Sequence, residues 1–284
     1  VGTSLTTWDH VSGASAIMSS SGVPSDGDWC MAINPFTQRK LASDQRALGS
    51  VDTLISEAHR KAIISDNFAG IKVMTATTLA AYTTGAGADR AGTLSGDPAV
   101  TYLAAKDTMQ QSLPVTGLQA NLVVAAGETI TIAGRNRLNL NTRQQIVDET
   151  GAAILFSGTV IETVTLNGSG AGTLVVSGSA IFEAAGQYNT TSTAPVSGDV
   201  VTLGGAASTL IQPNLFWHKN AFSVGSVPIK KLHSTDTIAT TEDGLQFRVS
   251  KGVGFLQNEQ KVRFDFRPAY AVLNPFFAGQ CFGS

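Results

Sequence analysis

Apolar positions change their period several times along the chain. Trp8, Val11, Ser15 and Met18 recur at helical spacing behind Thr6 and Asp9, which resemble a capping pair, and Gly22 with Pro24 ends that helix. Trp29-Cys-Met-Ala-Ile33 is a continuous apolar run and reads as a strand. It stops at Asn34, a good helix N-cap, with Pro35 at the first helical position and Leu41 on the helix that follows. Ser50 caps a further helical segment, Val51 to Ile64, in which Leu54, Ala58 and Ala62 share a face and Glu57 pairs with Lys61 four residues on. Gly70 then releases the chain into Ile71 to Leu79, which has strand composition.

From about Thr83 the texture changes. Thr84 to Gly92 reads as flexible linker, and short strands separated by Gly, Ser and Asn turns run from there to about Gly205. The best of them are Leu122–Val124, Thr129–Ala133, Ile154–Phe156, Thr159–Leu166, Thr173–Val176 and Val200–Leu203, which together suggest a small barrel or sandwich. Leu166 to Leu174 is a loose hairpin turn. The mixed texture returns at Leu210, with Ser223 to Lys230 read as a strand containing Pro228. Leu245, Phe247 and Val249, then Val262, Phe264 and Phe266, alternate with polar residues and form a long hairpin. That pattern predicts that Phe247, Val249, Val262, Phe264 and Phe266 bury one face against the early helices, with Arg248, Arg263 and Arg267 facing out or toward a neighbour. The simplest organisation is an α+β domain built from 1–85 and 206–284, interrupted by an inserted antiparallel β-barrel at 86–205.

Composition sharpens the picture. The 284 residues are 43% hydrophobic and 14% charged, against roughly 25% charged in soluble domains. Low charge with much Thr and Val favours a β-rich protein that hides surface against neighbours. The net charge of −2 leaves no footprint for tight nucleic-acid binding. Cys30 and Cys281 are too far apart in sequence to suggest a disulfide framework, and Cys30 reads as a buried small hydrophobe. No apolar run of membrane-spanning length and no signal peptide is visible, which reads as a cytoplasmic protein. A chain starting at Val1 is expected to be processed, cleaved or incomplete at its N-terminus.

Enzyme motifs do not emerge. There is no Gly-x-Ser-x-Gly elbow, Walker loop or His-Glu-x-x-His. His10, His59, His218 and His233 are scattered, and Asp9 beside His10 offsets a helix dipole. Asp26-Gly-Asp28 reads as a polar turn because it lacks the further ligands of a Ca²⁺ site. Asn167-Gly-Ser169 and Asn189-Thr-Thr191 match sequons but mark surface turns. Lys230-Lys231 and Arg135 with Arg137 read as solvated basic spots, with contact to another subunit or a scaffold as the second reading. Phe216 and Trp217 read as core, since no Arg/Lys stripe accompanies them for base stacking. Hence no residue is nominated as catalytic, cofactor-binding or metal-ligating, and no cofactor is expected.

The order of these elements resembles the coat proteins of tailed bacteriophages, the HK97-type capsid fold, and within them coat proteins of the Salmonella phage P22 type. The Trp-led helix from Trp8 to Ser20, the strand ending at Asn34-Pro35, Leu48-Gly-Ser-Val51 through Arg60, Asn67-Phe-Ala-Gly70, and the strand from Ile71 to Leu79 occur in the family's order. Gly127-Glu-Thr-Ile-Thr-Ile-Ala-Gly134, Asn214 to Phe222, and Arg267-Pro-Ala-Tyr-Ala-Val-Leu-Asn-Pro275 extend the likeness through the insert and beyond. The family's N-terminal arm, extended loop and spine helix are not found, and Val1 falls just after the spine helix. The resemblance implies a major capsid protein that self-assembles heterologously into pentamers and hexamers of an icosahedral shell around double-stranded DNA. It further implies a scaffolding protein and a portal as partners, weak non-specific contact with DNA, no membrane, and assembly in the bacterial host cytoplasm into the virion. The alternative is a β-rich phage decoration or surface-binding module, which would not need the helix–strand–helix entry before Ile64.

Overall fold

The computed structural model describes residues 5–47, 63–254 and 259–282. The predicted helix from Val51, with His59, lies almost wholly outside the described residues. Along the chain come helix α1 (Trp8–Ser20), strand β1 (Trp29–Ile33), α2 (Pro35–Ala47), β2 (Ile63–Phe68), β3 (Ile71–Thr75) and β4 (Tyr82–Thr83). Then follow β5 (Ala91–Leu94), the short α3 (Tyr102–Ala105), β6 (Gln110–Thr116), β7 (Val123–Val124), β8 (Thr129–Asn136), β9 (Leu155–Val160) and β10 (Val164–Thr165). β11 (Gly172–Ser177), β12 (Val200–Leu203), β13 (Leu210–Ile211) and β14 (Pro213–His218) lead to β15 (Phe222–Ser226) and β16 (Thr237–Thr240). Last are β17 (Gln246–Gly254), β18 (Glu259–Phe266), β19 (Pro268–Val272) and β20 (Ala278–Phe282). The chain is mostly sheet with few helices, an α+β mixture. Two compact units result, Val1–Lys219 with Pro275–Ser284, and Asn220–Asn274.

The first unit holds a five-stranded sheet in the order β2-β3-β1-β14-β20. β1 runs parallel to β3 and antiparallel to β14, so residues more than a hundred positions apart are hydrogen-bonded neighbours, Trp29 opposite His218 and Ala32 opposite Leu215. The Asn34 cap is made as its sequence predicts: Asn34 Oδ1 accepts the Thr37 amide at 2.7 Å. Its own amide donates to Asn214 Oδ1 at 3.0 Å, tying the cap to β14. The Thr6–Asp9 cap on α1 is not made. Thr7 occupies the N-cap without a side-chain bond, and the Trp8 amide donates to Asp44 Oδ2 of α2 at 3.0 Å instead. Tertiary capping wins because Trp8 Nε1 also reaches the Leu41 carbonyl at 3.2 Å, which sets the two helices side by side. Trp8, Val11, Met18, Met31, Leu41, Ile71 and Val73 form one buried core, with Phe216 and Cys281 packed against it.

The predicted barrel is present. β11-β6-β5-β12-β8-β9 closes on itself, β9 returning to β11 through Val160 opposite Val176. Strands β6, β9 and β12 alternate exposed and buried residues, as a filled small barrel requires. Their inward residues build a second core around Leu113, Ile130, Ile132, Phe156, Val176 and Val201. Gly170 (φ +68°) closes the 166–174 turn, where an added Cβ would fall 1.8 Å from the Leu118 carbonyl oxygen.

Thr84 to Gly92 is not a flexible linker. Ala91 and Gly92 already belong to β5, and the residues before them are fastened by a buried ion pair. Glu128, 0% exposed, accepts the Gly85 amide at 3.1 Å, the Ala125 amide at 2.8 Å and the Arg90 guanidinium. Arg90 also donates to the Gly204 carbonyl at 3.1 Å. Thr84 and Thr209 exchange bonds, and Tyr82–Thr83 pairs with Leu210–Ile211, so the two ends of the barrel segment meet.

In the second unit, β15 pairs with β19, and β16-β17-β18 form a three-stranded meander. The late hairpin forms as predicted, but its faces are opposite to the prediction. Arg248 is 7% exposed and Phe264 is 74% exposed. The reason is cross-strand: Arg248 lies directly opposite Asp265, its Nε donates to Asp265 Oδ2 at 2.9 Å, and its Nη1 donates to the Lys230 carbonyl at 2.8 Å. A paired guanidinium can be covered by the 227–236 segment, whereas among the described residues the β18 end of the phenylalanine face is left exposed.

Candidate assembly surface

The residues flagged for chemistry are placed as structural groups. Asp26 Oδ1 meets His218 Nε2 at 2.9 Å, and Lys219 pairs with Asp28. The imidazole partner holds the Asp26 carboxyl below its usual range. The Asp26–Asp28 turn is thus tied to the end of β14, and among the described residues no group of three or more His, Cys, Asp and Glu is arranged to hold a metal. His10 Nδ1 accepts the Thr6 amide at 3.3 Å, and the amide of exposed His233 donates to Asp236. Cys30 and Cys281 are free thiols, and burial pushes Cys281 up to about 11. Phe216 packs on the sheet core, its ring where a Cβ on Gly279 would stand, which explains a glycine directly across from it.

The basic spots divide. Lys230 and Lys231 are exposed, as expected. Arg135 is not a solvated group: its Nε and Nη2 grip both oxygens of Asp199 at 2.6 and 2.5 Å, and the guanidinium holds that carboxyl low. Burial lowers the pKa of Arg137.

What stands out is an apolar surface on the second unit. Residues directly opposite in an antiparallel pair share a face, so Phe247 with Phe266 and Val249 with Phe264 lie together on β17 and β18. Phe247 and Phe266 stack with centroids 4.8 Å apart. Val253, Val262 and Phe264 on these strands, and Val224, Tyr270 and Val272 on the neighbouring pair, are all exposed. Ala221, Ile229, Asp236 and Arg248 are buried residues of this unit. Exposed apolar side chains grouped on one strand face, as on β17 and β18, mark a contact site. The sequence alternation named Phe247, Val249, Val262, Phe264 and Phe266 but assigned them to an internal core. Arg90–Glu128 and Arg248–Asp265 had no local signal in the sequence, since each pair forms only when distant segments come into register.

Among the described residues no helix is long and apolar enough to cross a membrane. Residues 1–283 match the P22 coat protein family, gene protein 5. The chain is also similar to the major capsid protein of Acyrthosiphon pisum secondary endosymbiont phage 1, 32% identical over 285 residues that cover 99% of this chain and 67% of that protein. A family match over nearly every residue, on a chain with two cores and an uncovered apolar strand face, leads to one conclusion: the chain belongs to the P22 coat protein family of phage coat proteins.

Proposed function

We propose that this chain is a shell-forming subunit of a tailed-phage capsid, with no catalytic role. Copies associate heterologously into pentamers and hexamers, built on an HK97-like shell domain, and close into an icosahedral container around double-stranded DNA. The barrel is a separately folding inserted domain whose work is to speed folding or set subunit geometry. Scaffolding and portal proteins are the expected partners during assembly in the host cytoplasm, and DNA is touched weakly and without sequence preference. Beyond family membership, the observation that carries this reading is the uncovered face of the late hairpin around Val262 and Phe264, the latter 74% exposed. Such a face costs solubility in a monomer and gains by burial against another copy. The test is Phe264→Asp, followed by sedimentation velocity and negative-stain microscopy. Wild type should give rings or shells, and the variant should remain a folded small species with an unchanged circular dichroism spectrum. Shells of normal yield from the variant, or a wild-type protein that never associates, would overturn the proposal.

A further inference from the structure

The second unit is the basic part of the chain. Its 55 residues from 220 to 274 carry seven Lys and Arg against five Asp and Glu, leaving twelve against sixteen elsewhere. A cleft of about 610 Å³ on this unit gathers Lys230, Arg248, Arg263 and Arg267 around one carboxylate, Asp265. Its volume is within the range of about 300–1,000 Å³ usual for ligand sites. Arg248 and Arg263 both bond to Asp265, through Oδ2 at 2.9 Å and Oδ1 at 2.6 Å. One negative charge therefore orients two guanidinium groups while the cleft keeps an excess of three positive charges. Arg263 remains 70% exposed, so its outer nitrogens face solvent. The wall is apolar, formed by Pro228, Ile229 and Leu232.

We propose that this cleft binds an extended acidic peptide segment of a partner protein, its carboxylates on Lys230, Arg263 and Arg267 and an apolar side chain against Ile229 and Leu232. The Arg263 guanidinium, oriented by Asp265, suits the planar, two-oxygen geometry of Asp and Glu side chains. An apolar wall is of no use to a phosphodiester backbone. Phe266, the aromatic residue at the cleft, has its ring stacked on Phe247 and is not a free platform for a base. The occupant is a peptide with carboxylates spaced along it and hydrophobic residues between them.

Fluorescence anisotropy tests this with three labelled probes on the full chain at low ionic strength: a peptide alternating Glu and Leu, its Gln–Leu counterpart, and an oligothymidylate. The acidic peptide should bind saturably and about tenfold or more tighter than the neutral one, and high salt should remove most of the difference. Arg263→Gln with Arg267→Gln should weaken it by about tenfold with circular dichroism unchanged, and Lys230→Gln should weaken it in the same direction. No saturable binding, equal affinity for both peptides, variants that bind as wild type, or tighter binding of the oligothymidylate would each overturn the proposal. Binding is read on the subunit and needs no shell, so its failure is separate from any failure of assembly.

Discussion

Glu128 offers the most demanding test of how the barrel is tied down. Its carboxylate is fully buried and accepts the Gly85 amide, the Ala125 amide and the Arg90 guanidinium. Glu128→Ala removes the only charge that balances Arg90 within the pair and orphans two amides. Breaking a buried pair from one side costs about 3–5 kcal/mol, because the remaining ion stays desolvated. The two amides would add about 1–3 kcal/mol each if they stayed dry. Water entering the vacated space and the non-additivity of contacting groups bring the expected total to about 4–5 kcal/mol. Glu128→Gln keeps an acceptor for the amides and should cost about half as much. In the cycle with Arg90→Met, the coupling should be about 2–3 kcal/mol. Urea unfolding followed by far-ultraviolet circular dichroism reads the whole chain, while tryptophan fluorescence reports on the surroundings of the five-stranded sheet, since Trp8, Trp29 and Trp217 all lie outside the barrel segment. A Glu128→Ala stability within about 1 kcal/mol of wild type would refute the reasoning and give the pair no more weight than an exposed ion pair.

Two further outcomes follow from named contacts. Phe264→Ala should change subunit stability by less than about 1 kcal/mol, as expected for an exposed side chain, whereas Asp265→Asn should cost on the order of 3 kcal/mol by leaving Arg248 buried and unpaired; urea midpoints in the opposite order would restore an inward-facing phenylalanine register. Asp199, held low by Arg135, has a folded pKa below its unfolded value of 3.8, so its stabilisation is complete above that value and is lost as pH falls through the lowered folded value. Asp199→Asn should therefore flatten the acid limb of a stability-versus-pH curve and leave its alkaline limb unchanged.

The parts of the fold that were legible in the sequence are those whose signal is local. Asn34-Pro35 makes its cap with residues three positions away, and the Val200–Leu203 and Thr129–Ala133 alternations are read directly as barrel strands. β5 and β6 were not legible. Ala91-Gly-Thr-Leu94 has poor strand composition, and Gly92 is there because an added Cβ would sit 2.6 Å from the Thr116 carbonyl oxygen across the ladder. Gln111, Leu113 and Val115 do alternate in β6, but Pro114 between them argues against a strand inside a closed sheet. The candidate surface was half legible. Its apolar residues announced themselves by period, but which face goes inward depended on Asp265 standing opposite Arg248, a fact of pairing that neither strand carries alone.

The closure of the barrel bears on how subunits can join. A sheet that ends exposes a row of unpaired backbone donors and acceptors, a template on which another chain can add a strand. β11-β6-β5-β12-β8-β9 has no such margin. On the second unit, the margin at β18 carries Glu259, Lys261, Arg263 and Asp265 in succession, mixed charge that discourages strand addition. At these two places, contact with another copy would fall on faces of side chains. A backbone ladder permits only whole-residue steps of register, so a container built from ladders would hold one fixed angle between neighbours. Side-chain faces can pivot by degrees, which is what one polypeptide needs if it is to sit in rings of five and of six.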